Sequence, residues 1–211
     1  MNYFGHAAVA SWDAHPPGGA LGAMLPDFAG MCGARLAEQT DPEVALGVAL
    51  HHATDHMFHQ LPAVTALMRE LDGRLVRANC GRGPRMATAH VGIELLLDGV
   101  LVDEPAYRDS YTRALACDAS RAAWQGDGNA RFANLIARLR VYGVPDDLRD
   151  PDAITQRLAR VLGGRKLLAP TPTDLRAIAR ALAEQQPRVE IAAATIMRGV
   201  RAKLYAPPPT A

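Results

Sequence analysis

Cysteine is scarce in this chain of 211 residues: only Cys32, Cys80 and Cys117 occur. They are widely spaced, form no Cys-x-x-Cys pair and cannot all pair with one another, a pattern that fits reduced cytoplasmic thiols. Aromatic residues make up 5% of the chain and runs of β-branched residues are few, which disfavours sheet. No apolar stretch approaches the roughly 20 residues that span a bilayer. The opening Met1-Asn2-Tyr3-Phe4-Gly5-His6 lacks the basic region and apolar run of a signal peptide. A soluble, cytoplasmic protein is expected. The formal net charge of +1 gives no reason to expect nucleic acid or membrane as a partner. No Gly-x-Ser-x-Gly elbow is present, so a serine nucleophile of that type is excluded.

What remains is abundant Ala, Leu, Arg and Glu, a composition that favours helices. The expectation is an all-α fold, a compact multi-helix bundle in one domain over residues 1–206, with an extended, loose tail at 207–211. Asp41 suits an N-cap and Pro42 the first helical position, and the apolar spacing from Val44 carries that helix to His59. Pro62 opens the next helix, with Val64, Leu67, Met68, Leu71 and Leu75 as its stripe. Gly81-Arg82-Gly83-Pro84 is read as an interruption. A helix from Arg85 to Val102 is apolar almost all round and should be buried. Further helices are expected over 104–117, 129–142 and 151–162. The last region, 173–205, should kink or break at Pro187.

Histidine placement carries the chemistry. Of seven histidines, His51, His52, His56 and His59 fall within nine residues. His51, Asp55 and His59 are spaced four apart and share one helix face; His90, Glu94 and Asp98 repeat the pattern on the apolar helix. Carboxylates in an apolar core need a partner or a metal. Two such rows packed together would suit a divalent cation, and imidazole and oxygen ligands without sulfur leave Mn2+, Mg2+, Fe2+ and Zn2+ open. His52 and His56 point away from the row and read as surface residues, and His15 as a solvated loop residue. Arg74, Arg77, Arg82 and Arg85 form a basic run with no acid among them, suited to phosphate or to an acidic partner, although helix ends commonly carry solvated arginines.

These residues also carry a resemblance. Asn2-Tyr3-Phe4-Gly5-His6 resembles the Asn-Phe-Leu-Ala-His start of bacterial acyl-carrier-protein phosphodiesterases. Leu21 to Phe28 resembles that family's Gly-Asn-Leu-Leu-x-Asp-Phe segment, and Gly47 to Asp55, followed by Leu61-Pro62, its Gly-Ile-x-x-His-Arg-x-Ile-Asp helix. Glu94 and Asp98 stand where the family has Asp-x-x-x-Asp. The resemblance covers residues 2 to about 102, in order. It departs at His52 for Arg, His59 for Asp, His90 at a position that is not usually a ligand, Glu94 for Asp, and in lacking Asn near Gly22.

The family is similar to HD-domain phosphohydrolases. The resemblance therefore implies an HD-domain-like fold and a metal-dependent hydrolase, with Mn2+ the usual cofactor, that removes 4'-phosphopantetheine from holo-acyl carrier protein. On this reading His51, Asp55, Asp27 and Asp98 bind the metal directly, and His6, His59, His90 and Glu94 bind it or support those that do. Asp27, Asp55 and His51 are the catalytic candidates, and Arg82 and Arg85 the substrate contacts. Alternatives from other classes are a hydrolase of another small phosphoester or nucleotide, a helical-bundle di-metal oxidase, and a non-catalytic binding protein.

Overall fold

A computed structural model describes residues 1–13 and 15–206. Among them are nine α-helices and no strand, as the composition predicts: α1 (Tyr3–Ala10), α2 (Pro17–Cys32), α3 (Pro42–His59), α4 (Pro62–Arg77), α5 (Arg82–Leu101), α6 (Pro105–Ala116), α7 (Gly128–Tyr142), α8 (Pro151–Gly163) and α9 (Pro172–Leu204). Short 3-10 turns occupy Ala119–Arg121 and Asp146–Arg149, and an isolated bridge joins Leu36 to Trp124. The tail expected at 207–211 lies outside the described residues. No described helix is long and apolar enough to cross a membrane.

The chain divides into two compact units, one from residues 1–53 and 101–146, the other from 54–100 and 147–211. The passages fall inside α3, inside α5 and at the Asp146–Arg149 turn, so no linker marks them in the sequence.

In the first unit, α1 is buried along its whole length and packs on α2 and α6, while α2 also meets α7. Tyr3 and Phe4 meet the Tyr111 ring at 6.0 and 5.3 Å, and Phe28 meets Tyr3 at 5.6 Å and Phe132 at 6.2 Å. Each such ring contributes about 1.5–3 kcal/mol through burial, so the few aromatics in the sequence are spent largely on this core. The start of α3 is held twice. Asp41 accepts from the Glu43 and Val44 amides at 3.0 and 3.2 Å, and Arg121 donates to both Asp41 and Glu43 at 2.7 Å.

In the second unit, α9 packs on α4 and α8. The expected α4 stripe is buried at Val64, Leu67, Leu71 and Leu75, with Met68 at its edge. Residues 92–99 of α5 are all buried, in line with its apolar sequence. Two expectations are corrected. The interruption expected at Gly81-Arg82-Gly83-Pro84 is present but ends sooner: α4 stops at Arg77 and α5 begins at Arg82, so only Gly81 of the four stays outside the helices. Pro84 falls in its first turn, where an amide has no helical acceptor. The close approach of the Leu167 carbonyl leaves no room for a Cβ at Gly83. Pro187 does not split the last helix, since α9 is continuous through it. Pro187 and Ala183 are both exposed, so the carbonyl that loses its amide partner lies on the water side. Meanwhile Ile178, Leu182, Val189, Ala193 and Ile196 keep the buried stripe unbroken on both sides of the proline.

Asp174 ties this unit together. Its carboxylate accepts from the Gly81 amide at 2.7 Å and from the Thr171 amide and hydroxyl at 2.9 and 2.7 Å, closing a capping box at the start of α9. Burial pushes its carboxyl up, but these hydrogen bonds outweigh burial and hold it at about 2, against an ordinary 3.8. A lowered carboxylate stabilises the fold above its unfolded value and loses that contribution as pH falls toward the folded one. Asp174→Ala should therefore cost about 1–2 kcal/mol at neutral pH and flatten the acid limb of the melting temperature between about pH 4 and 2. Parallel pH profiles for variant and wild type would contradict this assignment.

Candidate metal centres

Two groups of ligand-type side chains converge, one in each unit. In the first unit, His6 from α1, Asp27 from α2 and His51 from α3 each present a ligand atom within 4.8 Å of the others. His6 and His51 are 1% and 7% exposed, and their rings stack with centroids 3.8 Å apart. His51 Nδ1 donates to the Ala23 carbonyl at 2.8 Å. A carbonyl only accepts, so Nδ1 carries the proton and the neutral ring keeps its lone pair on Nε2, the form that binds metal.

Glycine makes this arrangement possible. A Cβ at Gly47 would overlap the Gly19 carbonyl oxygen and come within 2.8 Å of the Ala23 amide nitrogen. One at Gly22 would overlap the Val44 carbonyl oxygen. The two helices therefore touch backbone to backbone. That contact puts Ala23 beside His51, one turn beyond Gly47.

The second unit holds His59, at the end of α3, with His90 and Glu94 of α5. His59 Nε2 lies 3.0 Å from His90 Nε2 and 3.3 Å from Glu94 Oε1, and His90 Nε2 lies 3.1 Å from that oxygen. Asp55 stands behind His59: its carbonyl accepts from Nδ1 at 2.9 Å and its carboxylate lies 3.4 Å from the same atom. Burial pushes the Glu94 carboxyl up, but hydrogen bonds from His59 and His90 outweigh it and keep it well below the ordinary range. Glu94 in turn raises the His59 imidazole, against the effect of burial.

The expected ligands fall into two groups, and Asp55 and Asp98, expected beside His51 and Asp27 on one metal, belong to neither. His6, Asp27 and His51 meet in the first unit. His59, His90 and Glu94 meet in the second, with Asp55 beside them. Asp98, one turn beyond Glu94, is fully buried in α5 of the second unit. His52 and His56 are exposed, as their spacing predicts. In the basic run, Arg74 pairs with Glu184 at 2.7 Å and Arg85 with Asp72 at 2.9 Å, so the electrostatics of these two are largely satisfied internally. Arg82 is exposed beside Asn79 and Cys80. Burial, reinforced by Asp174, pushes the Cys80 thiol up to about 12, so it is no nucleophile at neutral pH. The sequence reading missed Arg121 and the Gly22–Gly47 contact. The first had no local signal. The second had one in Gly47, which lies one turn before His51.

Comparison with protein-family models, curated proteins and solved structures gives no match.

Gly47→Ala tests how the first group is built. It should cost at least about 1–3 kcal/mol, because backbone rather than a flexible side chain must yield, and it should weaken divalent-metal binding by the first unit. A variant with wild-type melting temperature and metal affinity would remove the glycine contact from the account.

Proposed function

We propose that this protein is a metal-dependent phosphodiester hydrolase that removes 4'-phosphopantetheine from holo-acyl carrier protein. The observation that supports the reading is the meeting of His6, Asp27 and His51. Each comes from a different one of the three sequence segments that resemble the carrier-protein phosphodiesterases. Those segments are far apart in the chain, and apart from the exposed His52 their ligand-type residues within the first unit are the ones that converge.

The donor set fits a divalent cation: two imidazoles and a carboxylate, with no sulfur, around one point. Manganese is the favoured ion because of the resemblance, and the donors alone accept Fe2+ or Zn2+ equally well. When bound, such an ion supplies Lewis acidity toward a phosphoryl oxygen and toward water. The protein supplies the rest. The Ala23 carbonyl fixes the His51 ring and its tautomer, and stacking against His51 orients His6. Asp27, less buried than either histidine, is the proposed acceptor of the attacking water's proton. The HD-domain-like fold, the lipid-metabolic role and the cytoplasmic setting belong to the same proposal. Arg82 is the proposed contact for an acidic carrier protein, and the satisfied Arg85 is the weaker of the two candidates.

Incubation of holo-acyl carrier protein with the Mn2+-supplied protein, followed by mass spectrometry, should show loss of the phosphopantetheine mass. His51→Ala should lower that rate by at least about 100-fold, and Arg82→Glu should raise KM with little change in kcat. An intact carrier protein alongside cleavage of a simple phosphodiester would shift the assignment to another small phosphoester. Cleavage of neither with any divalent ion would reject hydrolysis.

A further inference from the structure

We infer that His59, His90 and Glu94 form a transition-metal site of their own in the second unit, independent of the proposed hydrolytic activity. The three facing atoms form a triangle with edges of 3.0, 3.1 and 3.3 Å. An ion bound at about 2.1 Å sets neighbouring ligand atoms about 3.0 Å apart in octahedral and about 3.4 Å apart in tetrahedral coordination. The observed edges span that interval.

Hydrogen bonding alone does not account for the triangle. Each imidazole Nε2 carries at most one proton, and the ionised carboxylate carries none. Two protons at most therefore serve three contacts. Either the two nitrogens face each other at 3.0 Å with no proton between them, or a carboxylate oxygen faces a ring lone pair. A single cation satisfies all three edges at once.

A second observation points the same way. His59 Nδ1 donates to the Asp55 carbonyl at 2.9 Å, with the Asp55 carboxylate nearby. With Nδ1 so engaged, loss of the Nε2 proton that otherwise bonds Glu94 leaves the lone pair on Nε2, the atom turned toward His90 and Glu94. Glu94 is 8% exposed while the His90 side chain is 51% exposed, so the site is anchored on a buried carboxylate and open on the His90 side. Two imidazoles and one carboxylate with open positions suit Zn2+, Fe2+ or Co2+ better than Mg2+ or Ca2+, which prefer all-oxygen surroundings.

The test is calorimetric titration of the full, chelator-treated chain with Zn2+ alone, with Co2+ absorption as a second readout. His90→Ala removes a half-exposed ring and should leave folding intact, as a thermal melt would verify. It should abolish one binding component or weaken it at least about tenfold. His6→Ala should retain that component, and so should His56→Ala, which removes an exposed histidine outside the triangle. Glu94→Gln should lose it if the variant folds. Zn2+ binding by His90→Ala with wild-type stoichiometry and affinity would overturn the inference. So would a wild-type protein whose entire Zn2+ binding disappears in His6→Ala. Neither result depends on whether any phosphodiester is cleaved.

Discussion

The first candidate centre depends on a contact with no side chains in it. At Gly22 and Gly47, α2 and α3 approach until backbone meets backbone, closer than any residue with a Cβ would permit. This proximity makes the Ala23 carbonyl available to His51, and that hydrogen bond fixes which ring nitrogen is bare. Arg121 holds the same helix at its start through Asp41 and Glu43, so α3 is pinned at both ends of its first three turns. Ligand convergence in this unit is thus a matter of helix spacing, enforced by glycine, more than of attraction among the ligands.

Much of the fold was legible because it follows from local rules. The cap and proline at Asp41-Pro42, the α4 stripe and the apolar run of α5 each correspond to an observed feature. The misreadings arose where a local signal was overridden by its surroundings. An interior proline is better tolerated where the carbonyl it frees lies on the exposed side of the helix, as it does at Pro187. The break between α4 and α5 was legible, but α5 starts three residues sooner than expected because Pro84 is tolerated in a first helical turn. The passage of the chain between units inside helices left no compositional trace at all.

The candidate sites were legible in kind but not in grouping. Four-residue spacing correctly placed His90 and Glu94 on one face, and correctly turned His52 and His56 outward. It could not show that His59 would join that pair. Positions 59, 90 and 94 are scattered along the sequence; in the second unit they are a single triangle.

Cys80 gains a use from its surroundings. Its thiol sits beside Asp174 at the junction of α5 with the start of α9, and it ionises far less readily than a solvated thiol. Alkylation of Cys80 at neutral pH is therefore slow while that junction is closed and quickens when it opens. Modification followed at Cys80 itself, apart from the more exposed Cys32 and Cys117, would thus report on local opening of the second unit.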